Sequence, residues 1–250
     1  MSRTVALFSL SGSPGVTCAA MAVAAVWPGG AGAVLVEADA SGGDVATWRH
    51  LPPDPGLTGL AAAVRHGGSS GADLGAHTQT LPGGLAVCPA PVTADRAGGV
   101  VRLLAQNPAA LTSGDGPAVV LDLGRLGPGS AASDLAARAD TALLVVSDDL
   151  AQLRRAKEAS EALRQTLPTL RTVVSGGSGG VREVRDALGP DVWGRFPDDP
   201  RSTAFLRGEA NPRKPHRRPF LRAAARLAGD LAADAAPSPQ PRPETTGATA

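Results

Sequence analysis

A chain of 250 residues, 43% of them hydrophobic, is long enough to bury one sizeable core. Its formal net charge of +1 gives no general pull toward a polyanion, and aromatics at 3%, with no Tyr, leave few platforms for stacked bases. Two cysteines, Cys18 and Cys88, exclude a disulfide framework and lack metal-ligand spacing, and no apolar run approaches the roughly 18 residues that a membrane span needs. The opening MSRTVALFSLSGSPG has the small residues of a signal peptide, but a strand entering a glycine loop explains it better, and a cytoplasmic chain is expected. Of the 24 basic residues only Lys157 and Lys214 are Lys, a bias that suits a GC-rich genome.

Val5 to Leu10 is a short apolar run that reads as the first strand, followed by the turn Ser11 to Gly15. Thr17 to Val26 is Ala-rich, a buried helix stopped at Pro28-Gly29-Gly30, and Ala33 to Val36 is a second strand closing on Glu37-Ala38-Asp39. Strand, glycine loop, helix, strand is the opening of a doubly wound sheet. Further helices are predicted at Leu57 to Arg65, Thr93 to Gln106, Ala131 to Ala137, Leu150 to Leu163, Val181 to Leu188 and Phe220 to Leu231. Strands are predicted at Thr78 to Leu81, Leu85 to Cys88, Ala118 to Leu121, Thr141 to Val146, Leu170 to Val174 and Val192 to Phe196. Apolar strands alternating with helices predict an α/β fold, a doubly wound, mainly parallel sheet covered on both faces. One domain over residues 1–232 is expected, with residues 233–250 a disordered Pro-rich tail.

The stretch LSGSPGVTC, Leu10 to Cys18, carries the chemistry. Successive backbone N–H groups in such a loop converge on phosphate oxygens, and the helix behind it adds partial positive charge. Gly12 and Gly15 permit the wrap, and the Thr17 hydroxyl stands where a magnesium ligand is needed. A standard phosphate loop also supplies a lysine, but Val16 precedes Thr17 here. Gly12 to Gly15 does not make the Gly-x-Gly-x-x-Gly of a dinucleotide oxidoreductase. His50, His66, His77 and His216 have no metal spacing, and no Ser-His-Asp arrangement is legible.

The loop resembles the deviant Walker A of the MinD/ParA family of P-loop ATPases, seen also in pilus-assembly ATPases, with the pattern Lys-Gly-Gly-x-Gly-Lys-Thr-Thr. Ser11 falls on the first lysine, Gly12 and Ser13 on the two glycines, and Pro14 on the variable position. Gly15 falls on the third glycine, Val16 on the second lysine, and Thr17 and Cys18 on the hydroxyl pair. VLVEADASGGDVATW, Val34 to Trp48, resembles the second strand and first switch region, with Glu37 and Asp39 on its two acids. VVLDLG, Val119 to Gly124, resembles the Walker B strand and places Asp122 at a strand C-terminus; FPDDPR, Phe196 to Arg201, resembles the late loop that frames adenine. The resemblance implies ATP and Mg2+ as cofactors. It puts residues Gly12 to Cys18 around the phosphates, Ser175, Pro197 and Asp198 near the base, and Thr17, Asp39 and Asp122 at the magnesium, with Asp39 also positioning the attacking water as the catalytic residue.

Both loop lysines are absent, which takes charge away from the transferring phosphoryl group and from the dimer contact that the first lysine makes in the family. Ser175 stands where the family often has an adenine-contacting Asn. Three readings follow. The first is a regulatory or positioning protein that binds nucleotide weakly or without efficient hydrolysis. The second is an active ATPase using a substituted arginine such as Arg49, Arg125 or Arg201, and the third a nucleotide-free scaffold. Asp198 and Asp199 read more simply as turn acids. A protein partner and a homodimer are expected. The basic stretch Arg201 to Arg226 offers a face for nonspecific DNA or the anionic inner face of a membrane, or is ordinary solvated charge.

Overall fold

Every second residue of the first strand, β1 (Thr4–Ser9), points to the opposite side of the sheet: Val5 and Leu7 pack into one apolar cluster, Ala6 and Phe8 into another, and all four are fully buried. A strand apolar on both faces must be covered on both, and the rest of the chain does this. The computed structural model describes residues 3–67, 72–111, 116–177, 180–189 and 191–234; the expected tail beyond residue 234 lies outside them.

After β1 come α1 (Val16–Ala25), β2 (Ala33–Glu37), α2 (Val45–Arg49), α3 (Leu57–Gly67), β3 (Gln79–Thr80), β4 (Ala86–Cys88), α4 (Ala94–Gln106) and β5 (Ala118–Arg125). The second half runs α5 (Ala131–Arg138), β6 (Thr141–Ser147), α6 (Leu150–Thr166), β7 (Leu170–Ser175), α7 (Val181–Leu188), β8 (Val192–Phe196), α8 (Pro200–Arg207) and α9 (Pro219–Ala233). The eight strands form one sheet in the order β3-β4-β2-β5-β1-β6-β7-β8, parallel throughout except for β3 against β4. Helices α3, α4 and α5 cover one face; α1 and α9 cover the other, with α8 at its edge. Eight of the ten residues of α1 are buried, six of them Ala, Cys or Met, so this helix lies flat on the sheet beneath α9. Among the described residues no helix is long and apolar enough to cross a membrane.

The structure corrects the expected elements at four places. β5 does not stop at Leu121: it runs on to Arg125, because Leu123 is fully buried and the chain still pairs with β1 as far as Ser9 and Arg125. Asp122 therefore lies within the strand, opposite Leu7 on one side and Glu37 on the other, and not at its C-terminus. The expected strand Thr78 to Leu81 shrinks to Gln79–Thr80. The remaining two are helices missing from the sequence reading. α2 is too short to show periodicity; α8 grows from FPDDPR, where Asp199 accepts from the Ser202 amide at 3.2 Å and Pro200 opens the first turn.

Asp199 is buried under Arg218, whose guanidinium grips both its carboxylate oxygens, and it also accepts from the Ser202 hydroxyl at 2.8 Å. Burial opposes ionisation, but Arg218 and Ser202 outweigh it and hold the Asp199 pKa down at about 2. Its stabilisation is therefore present above the ordinary carboxylate range and is lost as pH falls toward 2. Asp199→Ala is expected to cost about 1 kcal/mol through the lost cap alone, a fall of roughly 2–4 °C in Tm by thermal melting at pH 7. At pH 2 the gap between the two proteins should narrow.

Candidate functional site

β1 ends between β5 and β6, where the chain turns in opposite directions: β1 leads through α1 toward β2, and β5 leads through α5 over β1 to β6. The C-terminal edge of a parallel sheet at such a divergence is where ligands bind. The Leu10–Gly15 turn occupies this point. Gly12 and Gly15 both adopt left-handed φ values, 67° and 82°, and Gly15 is the residue from which α1 starts. No side chain caps α1 and no acid sits in its first turn, so its leading N–H groups are open to an anion. Pro14 is buried and pins the turn, whereas Gly12, Ser13 and Gly15 are exposed. Val16, on the position of the family's second lysine, is only 6% exposed and packs with the α1 cluster.

The loop floors an open pocket of about 470 Å³. Ser13, Thr17 and Cys18 line it together with Asp39 and Asp44, and Trp48, Arg125 and Arg207 complete its rim. Two side chains close to this wall set its shape. Glu37, 1% exposed, is a tether: Oε1 accepts from the Asp44 and Val45 amides at 2.6 and 2.9 Å, and Oε2 accepts from Ala90 at 3.0 Å. It thereby caps α2 and fastens the loop after β2 to the end of β4. Burial still pushes the Glu37 pKa up, against the three amide bonds. Gly43 stands where a Cβ would come within 2.3 Å of Glu37 Oε2, which accounts for glycine there.

Asp122 is fully buried; Oδ1 accepts from the Gly124 amide at 3.1 Å and Oδ2 has no partner. Burial, reinforced by the Glu37 charge, lifts its pKa to about 7, with the nearby Thr17 hydroxyl acting in the other direction. Asp39, partly buried against Gly124, accepts from the Ser41 amide at 2.7 Å. Burial raises its pKa as well, while Arg125 lowers it. Among the described residues no cluster of three or more His, Cys, Asp or Glu can hold a metal ion unaided. The set fits magnesium of the phosphate-bound kind, which takes one or two carboxylates and fills its shell with water and phosphate oxygens. The orphaned Asp122 Oδ2 is the acceptor such a hydrated ion would use.

Comparison with known structures finds the same fold. A ParA-family ATPase from Chlorobium tepidum matches with a TM-score of 0.71 at 15% identity, over 91% of this chain and 99% of that one. The septum site-determining protein MinD from Pyrococcus horikoshii, solved with Mg-ADP, matches with 0.71 at 15% identity, over 92% and 96%. MinD in the MinC:MinD complex of Aquifex aeolicus matches with 0.65 at 17% identity, over 95% and 98%. The chain has the MinD/ParA fold. No protein-family model matches it, and a comparison with curated proteins finds no match.

Within the MinD/ParA fold, the residues singled out from the sequence divide into two groups. Gly12 to Cys18 and Asp39 meet at the pocket, with Asp122 buried beside Thr17. Ser175, Pro197 and Asp198 do not line it. Ser175 ends β7, and Pro197 and Asp198 follow β8, two and three strands from β1, which at about 4.8 Å per strand is roughly 10–14 Å along the same sheet edge. Asp198 stands against Gly176 there, and Arg195 bridges Asp148 at 2.9 Å and the Gly176 carbonyl. Of the three arginines proposed as stand-ins for lysine, only Arg125 reaches the pocket, donating to the Gly12 carbonyl at 3.1 Å. Arg49 turns instead to the Phe205 and Leu206 carbonyls, and Arg201 is exposed on the first turn of α8. Arg207, which the sequence reading did not single out, is on the rim. Its only sequence signal was its place in the basic stretch.

Proposed function

We propose that the protein is a MinD/ParA-like regulatory or positioning protein that holds a magnesium-bound adenine nucleotide on its glycine loop with little turnover. The observation that carries this reading is the uncapped N-terminus of α1, wrapped by two left-handed glycines and facing Asp39, with the buried, unpaired Asp122 Oδ2 alongside. A bound magnesium ion would neutralise phosphate charge. This chain's part is to present the loop amides to the phosphates, to accept from magnesium-bound water at Asp39 and Asp122, and to ligate through Thr17. Slow turnover follows from Val16 and Ser11. Removing one preorganised donor from such a site typically costs about 10²–10³ in rate.

MinD in complex with MinC supports a protein partner for this fold, and a homodimer is part of the proposal. Arg201, Arg213, Lys214 and Arg217 are exposed and would be the face for DNA or an anionic membrane; Arg218 is committed to Asp199. Arg125 on the pocket wall favours one alternative, an ATPase with a substituted charge. Calorimetry of the full, nucleotide-stripped chain with ATP and ADP, with and without magnesium, tests the reading. Magnesium-dependent micromolar binding with negligible phosphate release is expected. No binding at millimolar nucleotide by the folded protein would replace it with a nucleotide-free scaffold, and rapid turnover with the substituted-charge ATPase.

A further inference from the structure

The rim of the pocket carries a cation, Arg207, that makes no ion pair among the described residues. Arg207 is the last residue of α8, and its guanidinium carbon lies 4.8 Å from the centroid of the Trp48 ring. It also faces Cys18, the third residue of α1, where it opposes the rise that burial imposes on the thiol pKa. Among the described residues no carboxylate lies within ion-pair distance of it. A helix N-terminus carries about half a positive charge, so a guanidinium facing the first turn of α1 adds to a positive field that suits an anion.

The position is built. Arg49 donates to the Phe205 and Leu206 carbonyls at 3.2 and 3.5 Å and ties the end of α8 to α2. The Trp48 ring holds the guanidinium by a cation–π contact, which uses none of its N–H donors and so leaves donors for a phosphate. Arg125, by contrast, has one arm on the Gly12 carbonyl. We propose that Arg207, seated on Trp48, binds the terminal phosphate of a nucleoside di- or triphosphate, supplying charge for binding without replacing the loop-mounted lysine on which fast turnover depends. Asp39 and Asp44, which share the pocket, make it select the magnesium complex over the free anion. The inference rests on the nucleotide reading above.

The test is calorimetric titration of the full chain with Mg-ADP, and with adenosine as the phosphate-free probe, followed also by Trp emission. Arg207→Gln, an exposed change, is expected to weaken Mg-ADP by about tenfold or more, the worth of a charge-assisted bond, and to leave adenosine unchanged. Arg207→Lys should recover part of the loss. Mg-ADP should alter Trp emission in the parent protein but not in Trp48→Phe. Parent protein that binds Mg-ADP, with Arg207→Gln within twofold of it, overturns this proposal and leaves the nucleotide reading standing. An equal loss for adenosine also overturns it. Failure of the parent protein to bind Mg-ADP removes the nucleotide reading and this inference together.

Discussion

Glu37→Ala is expected to destabilise the protein by about 4 kcal/mol, because it strips the acceptor from three amides, and a buried donor left unpaired costs about 1–3 kcal/mol. For a chain of this size that is a fall of roughly 10 °C in Tm. Glu37→Gln keeps one carbonyl oxygen but turns a donor toward one of the amides, so an intermediate loss is expected. The damage should be local before it is global. Hydrogen exchange at the amides of Asp44, Val45 and Ala90 should speed up more than at the β1 amides, since those three share the lost acceptor. A Tm within about 2 °C of the parent would show that the tether contributes little.

The second large effect has the opposite sign. Asp122→Asn should raise stability at pH 8. The Asp122 pKa is about 7 in the folded chain, against about 4 for an ordinary carboxylate, a gap worth roughly 4 kcal/mol. Between these two values the unfolded chain has released a proton that the folded one retains, so rising pH subtracts stability across the interval and leaves the full penalty above pH 7. Asparagine has nothing to ionise, keeps the acceptor for the Gly124 amide, and escapes the penalty. Urea melts at pH 4 and pH 8 are the check: near-equality at pH 4, a more stable variant at pH 8. The same variant should lose the magnesium dependence of nucleotide binding. A protein that gains stability by losing a carboxylate has that carboxylate for some purpose other than folding. Equal stability at both pH values would mean that water reaches Oδ2 and that the group is less isolated than its surroundings indicate.

The opening of the fold was legible because its signals are local: an apolar run, a glycine turn, an Ala-rich helix, another apolar run. The ends of elements were less so. Asp122 looked like the end of a strand because an acid usually marks one, and nothing in VVLDLG says that Leu123 would be buried or that pairing with β1 would resume beyond a bulge at Arg125. Helix α2 escaped because five residues hold little more than one turn, and its cap, Glu37, lies seven residues before the amide it accepts from. Helix α8 did have a signal, the Asp-Pro pair at 199–200, which the likeness to a loop obscured. Of the site, the glycine loop and Asp39 could be placed together from sequence. Arg207 could not, because only the packing of α8 against α1 and α2 brings it to the pocket.

The strand order has a consequence for the chain as it is made. β1 is, with β5, one of the two central strands, yet both its neighbours, β5 and β6, follow it in the chain, the nearer one beginning at Ala118. More than a hundred residues must leave the ribosome before β1 finds a hydrogen-bonding partner on either side. Until then it presents an unpaired edge with an apolar centre, of the kind that draws nascent chains into aggregation. The pocket matures later still, since its rim waits for residue 207. Nucleotide therefore cannot nurse the early stages of folding, and Ala-rich α1, the next element in the chain, is the nearest cover for that strand.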